Sequence, residues 1–180
     1  MRILSLILFF SFVSGCKREE VLPQATLRDD HNTFACKVNG KPWVGETSFG
    51  GKGVFASGGT FIATDSSVVN FYNIGGHWGK QYITLYVARI TGIGTYAFDK
   101  FVTCPHPQCL RVETSYAYQF VDNDIEYYTS DIETGQVHIT EFVEGGKGVS
   151  GTFTFKAKNR KTGEVLDVTD DRFSYNSDRD

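Results

Sequence analysis

Residues 149–158 read VSGTFTFKAK. Val149, Gly151, Phe153, Phe155 and Ala157 share one parity, and Ser150, Thr152, Thr154, Lys156 and Lys158 share the other. Successive side chains of a strand point to opposite faces, so this is a strand with one dry face and one wet face. A slip of one residue would turn the whole apolar set to water, which fixes the register. The same pattern continues outward. Residues 136–142 form the strand before it, across a turn at 144–148. Residues 159–163 (NRKTG) turn the chain into 164–168, and 172–175 (RFSY) close the domain.

Working back toward the start, Asn39-Gly40 is the strongest two-residue hairpin signal in the chain. It joins 34–38 to 41–44, and Pro42, which lacks a backbone donor, puts the second strand at an edge or delays its start. Glycines at 50, 51, 53, 58 and 59 make residues 49–59 read as a turn region around a short strand, 54–56. Residues 60–64 and 68–74 flank Asp65-Ser66-Ser67 as a hairpin. Residues 75–80 (GGHWGK) read as a loop. Residues 82–90 are apolar on both faces, with Ile83, Leu85 and Val87 on one and Tyr82, Tyr86 and Ile90 on the other. That suits a central strand covered on both sides. Residues 95–98, 112–121 and 125–129 read as further strands.

About ten short strands joined by short loops predict an all-β antiparallel meander. A two-sheet sandwich is the first expectation, and a closed up-and-down barrel the alternative. Residues 33–180 form this single domain. Residues 1–15 and 16–32 belong elsewhere. A basic start, an apolar stretch of about eleven residues and Val13-Ser14-Gly15-Cys16 make a secretory signal, because spanning a bilayer takes about 20 residues. The end resembles a bacterial lipobox, which implies acylation of Cys16 after removal of 1–15. Two acyl chains already hold a protein stably on a membrane. Residues 17–32 (KREEVLPQATLRDDHN) cannot bury a core and form a tether reaching about 55 Å at most. Lys17-Arg18-Glu19-Glu20 is either a solvated linker or a sequence that resembles the surface-export tag of Bacteroidota lipoproteins.

Two further stretches carry a resemblance. Residues 32–43 (NTFACKVNGKPW) follow LPQAT at 22–26, and GTFTF at 151–155 precedes TGEVLDVTDDRF at 162–173. Together they resemble a family of Bacteroidota envelope lipoproteins of unknown function. Its pattern runs from a lipobox through LPPAT and NTFGCxVNGxxW to GTFxF and TGEVxxITDGRF. Gln24, Ala35 and Asp171 depart from it, the last two at glycine positions. The resemblance implies an envelope β-domain and assigns no catalytic residue.

The chemistry-bearing residues are few. With Cys16 acylated, Cys36, Cys104 and Cys109 remain. Outside the cytoplasm Cys104 and Cys109, closing the loop CPHPQC, are expected to form a disulfide. Cys36 alternates with Phe34 and Val38 and is expected to be a buried thiol, although a bridge to either loop cysteine stays open. Cys104, His106 and Cys109, with His77 or His138, would be the metal-site reading; thiols oxidise in this compartment and the spacing fits no standard finger, so no metal and no cofactor is expected. Asp167, Asp170 and Asp171 read as turn chemistry, and Gly145-Gly146-Lys147-Gly148 as a hairpin turn without the rest of a phosphate loop. No serine elbow is present.

Among the aromatics, Trp43 is expected in the core, while Trp78 with His77, between glycines, is the candidate ligand-binding pair. The balance of 18 basic and 21 acidic side chains, net −3, has no basic stripe and excludes nucleic acid as a partner. The expectation is therefore a non-enzymatic lipoprotein of the outer membrane, facing the periplasm or the cell surface. It would bind a glycan or an envelope protein, or serve as a structural or assembly component.

Overall fold

The computed structural model describes residues 32–45, 53–63, 65–99, 115–121, 124–132, 134–143 and 147–177. They form eleven strands: β1 (Thr33–Val38), β2 (Lys41–Val44), β3 (Val54–Ile62), β4 (Val68–Trp78), β5 (Gln81–Ala88), β6 (Gly94–Phe98), β7 (Tyr116–Val121), β8 (Asp124–Tyr128), β9 (Gly135–Val143), β10 (Gly148–Asn159) and β11 (Val165–Asn176). No helix among the described residues is long and apolar enough to cross a membrane. The signal segment, Cys16, the tether to residue 31, Cys104 and Cys109 lie outside the described residues.

The class is the antiparallel all-β one that the alternation requires. All the strands belong to one hydrogen-bonded sheet with the path β2-β1-β11-β10-β8-β7-β5-β4-β3, and β9 branches from β10 and carries β6. This sheet curls strongly into a half-barrel, so that β1 and β2 come to lie against β4. Strand twist accumulates across a sheet this wide, and burial of both ends of the path against one core completes the curl. That core holds Phe34, Ile74, Leu85, Val137, Phe155, Val168 and Phe173, all essentially inaccessible to water.

Several sequence expectations hold in detail. Asn39 and Gly40 both adopt positive φ (48° and 74°), as a type I′ turn requires. Asn39 also exchanges hydrogen bonds with Asp167, its N–H donating to the Asp167 carbonyl and its Oδ1 accepting from the Asp167 N–H. Pro42 sits on the edge strand β2. Trp43 is buried edge-to-face against Phe34, and Cys36 is a buried free thiol. On β10 the odd-numbered residues 149–157 are buried, while Thr152, Thr154 and Lys156 are exposed. Asn159 Oδ1 accepts from the N–H groups of Lys161 and Thr162 and so makes the next turn.

Four expectations are corrected. Ser150 is buried rather than on the wet face, because it faces Ser174 across the β10–β11 ladder and donates a hydroxyl hydrogen bond to it. Ile90 joins the core beside Leu85 instead of the opposite face; Arg89 adopts φ 55°, which breaks the alternation. Asp171 lies within β11 and is buried, not in a turn. The glycine-rich stretches are strands: β3 runs through Gly58 and Gly59, and β4 runs through Gly75 to Trp78. Their glycines are positions of close approach. A Cβ on Gly76 would stand 2.8 Å from the Phe34 ring, and one on Gly75 would stand 2.7 Å from the Ile83 carbonyl oxygen.

The Phe34–Gly76 contact is where β1 meets β4. Gly76→Ala is expected to cost about 2 kcal/mol through overpacking. In a Phe34→Ala background that cost should shrink by about 1 kcal/mol, since the Cγ and Cδ1 atoms nearest that Cβ are gone. Urea unfolding of the four proteins in this cycle measures the coupling; strictly additive losses would show that the two residues do not oppose each other.

Candidate functional site

The β4–β5 hairpin ends in a two-residue turn, Gly79-Lys80, with Gly79 at φ 58°. Positive φ at the first central position alone is the pattern of a type II′ turn. It sets Trp78 opposite Gln81 and His77 opposite Tyr82. His77 stacks on Tyr82 with ring centroids 5.6 Å apart and planes 29° apart. The His77 N–H donates to the Gly53 carbonyl at 2.8 Å, which ties the hairpin end to the start of β3.

Trp78 is 49% exposed and Tyr82 38% exposed, whereas the other tryptophan, Trp43, is 5% exposed. The structure thus places the two sequence candidates on one rigid hairpin end, but on opposite faces of it, because they are successive strand residues. Tyr82 is the residue that sequence reasoning missed as His77's partner. The Gly79-Lys80 pair was the available signal, since a two-residue turn fixes the opposing residues.

The His77–Tyr82 face continues along the sheet. Beyond Thr84, Tyr86 stacks on Tyr116 at 4.8 Å and on Phe71 at 5.6 Å; Phe61 and Tyr118 extend the series. Burial pushes the phenols of Tyr86, Tyr116 and Tyr118 above the ordinary tyrosine range, and for Tyr118 the Thr84 hydroxyl opposes the shift. These phenols therefore stay neutral. Cross-strand aromatic pairs of this kind contribute roughly 0.2–1 kcal/mol each to sheet stability. Their first role is to hold the sheet that presents the hairpin.

A second unusual group lies in the core. Asp171 is buried, and neither carboxylate oxygen has a hydrogen-bond partner. Burial pushes its pKa up to about 8; the nearby Lys37 N–H opposes this from outside hydrogen-bond geometry, and Asp170 and Asp167 add to the rise. Asp170 itself pairs with Lys37 Nζ at 2.8 Å. Burial, and then Asp171, push the Cys36 thiol far above its ordinary range. A protonated thiol beside a protonated carboxyl supplies neither a nucleophile nor a base at neutral pH.

No group of three or more His, Cys, Asp or Glu among the described residues is placed to hold a metal ion. His138, on β9, shares a hydrogen bond with Thr95 at 2.9 Å, while His77 is on β4. Cys104 and Cys109, expected to form a disulfide, lie outside the described residues, as does Cys16. The family described as a domain of unknown function, DUF6252, matches residues 54–175, which is more than half of the chain and includes the hairpin end. Neither the curated proteins nor the solved structures contain a match.

The raised Asp171 pKa has a defined sign. The folded state keeps a proton that the unfolded chain loses near pH 4, so stability is full below pH 4 and falls as pH rises toward 8. Asp171→Asn removes this slope. At pH 9 it is expected to be more stable than the parent by at least about 2 kcal/mol, since one pKa unit corresponds to about 1.4 kcal/mol. Near pH 4 the two should nearly coincide. Denaturant midpoints from pH 4 to 9 check this, and parallel curves would count against it.

Proposed function

We propose, for a chain that belongs to the DUF6252 family of unknown function, a lipid-anchored envelope protein whose β-domain binds glycan without catalysing a reaction. The anchor is Cys16, at the end of a lipobox-like leader, and the tether after it holds the domain off an outer-membrane surface. The reading carries over the Bacteroidota resemblance of the two chain ends. No nucleic acid, cofactor or metal enters it.

The observation that carries the binding role is the hairpin end, with Trp78 half exposed on one face and Tyr82, stacked on His77, exposed on the other. Exposed aromatic rings on a rigid ribbon offer flat apolar faces at little entropic cost, because the turn, the Gly53 bond and the Phe34–Gly76 contact already fix them. A pyranose ring presents a C–H face that stacks on such a ring, with hydroxyls directed outward. Gln81, directly across from Trp78 on the same face, is the adjacent polar group able to meet those hydroxyls. Affinity from one stacked ring belongs at the weak end, about 1 mM.

Ligand-observed NMR and thermal shift against a panel of envelope and extracellular polysaccharides test this. A binding glycan should raise the melting temperature of the parent protein and leave Trp78→Ala unshifted, with the variant's own melting temperature close to the parent's. Tryptophan emission adds a direct readout, because buried Trp43 is constant while Trp78 shifts to the blue on binding. A glycan that binds Trp78→Ala undiminished would move the site elsewhere on the domain.

A further inference from the structure

We propose that the free edge of β3 is a self-association surface, through which two copies of this chain pair as antiparallel strands about a two-fold axis at Thr60. The hydrogen-bond parity of β3 leads to this. Gly53 accepts from the His77 N–H at 2.8 Å, and the Ala63 N–H donates to Ser67 at 2.8 Å. Between these two points the β3–β4 register is unbroken from Val54↔Gly76 to Ile62↔Val68. Bonded and non-bonded pairs alternate along an antiparallel ladder, so the odd-numbered residues bond β4. Gly58, Thr60 and Ile62 therefore direct both their N–H and C=O groups outward, and all three are exposed. Among the described residues, no strand pairs with this edge.

Natural sheets protect exposed edges with charges, prolines, bulges or shortness. β2, at the other end of the strand path, carries Lys41 and Pro42. β6, on the branch, is short, and the residue after it is tied down: the Asp99 N–H donates to Ser115 and the Asp99 carbonyl accepts from Thr129. β3 has nine residues with no charge, no proline and no register shift. At Gly58 a Cβ would stand 2.5 Å from the Tyr72 ring, and at Gly59 one would stand 3.0 Å from the Phe71 ring. The result is a long, regular, uncharged edge. Its outer end carries an apolar pair, Ile62 at 61% and Val68 at 71% exposure.

The sequence of this edge fits a second copy of itself. With Thr60 opposite Thr60 of the second copy, every outward-directed residue meets an outward-directed one, and both faces keep their side-chain sense. Ile62 then lies opposite Gly58 of the second copy, and Phe61 opposite Gly59. Each bulky side chain meets a glycine, beside the Tyr72 or Phe71 ring that already covers that glycine. The two threonines can share a hydroxyl hydrogen bond across the axis. Three bonded pairs give about six interchain hydrogen bonds, since each pair exchanges two. A charged foreign strand would find no complementary charge on β3. Contacts this small belong to the weak class of interface, so the dimer is expected at a Kd of roughly micromolar order.

Sedimentation of the full chain in detergent, over a concentration series, tests the proposal with three variants. Thr60→Pro removes an outward N–H and leaves the β3–β4 bonds intact. Thr60→Lys places two like charges across the axis. Asn70→Lys adds the same charge one strand inward, opposite Thr60 on β4. The expected result is a dimer for the parent and for Asn70→Lys, and at least tenfold weaker association for both Thr60 variants. Thr60→Lys carries the test if Thr60→Pro does not fold. A parent that sediments as a monomer, a Thr60→Lys protein that dimerises like the parent, or an Asn70→Lys protein that dissociates equally would each overturn it.

Discussion

The fold depends on one close approach. Phe34, at the start of the first strand, packs its ring onto the backbone of Gly76, near the end of the fourth. These strands lie far apart along the sheet path, so their contact turns a long sheet into a half-barrel with an interior. Phe34 is also the hub of the aromatic core, against Trp43 on one side and Phe153 on the other. A side chain at position 76 would separate the two walls. Loss of the contact would open the core and release the hairpin end that follows two residues later. The candidate binding surface and the closure of the fold thus rest on the same few atoms.

Period-two patterning and turn chemistry were legible in the sequence because both are local. Residues 149–157, Asn39-Gly40, the edge position of Pro42 and the Asn159 turn all follow from rules that involve neighbours along the chain. The departures arise where a residue answers to something distant. Gly58, Gly59, Gly75 and Gly76 look like breakers, yet each is a strand position whose missing side chain admits an aromatic ring or a neighbouring strand. Ser150 looks wet until Ser174 is placed opposite it. Trp78 and His77 were legible as candidates from their glycine-flanked setting. Their placement on opposite faces, and the pairing of His77 with Tyr82, needed the register of the hairpin.

Asp171 illustrates a different limit. It stands where the resembled pattern has glycine, and its neighbour Asp170 takes φ 54°, at the bulge that breaks the β10–β11 register. The bulge turns the next side chain inward, so a carboxyl that a linear reading assigns to solvent ends in the core. Its burial keeps both it and Cys36 protonated. The buried thiol and carboxyl are therefore quiet at neutral pH.

The central claim is that this binding domain works while held on a membrane by Cys16. Metabolic labelling with an alkyne fatty acid, followed by protease treatment of intact cells, addresses it most directly. The account predicts label on the parent protein and none on Cys16→Ala, with the labelled protein in the outer-membrane fraction. Cleavage in intact cells would place the domain at the surface, and survival until the outer membrane is breached would place it on the periplasmic side. An unlabelled parent protein recovered free of membranes would contradict the account.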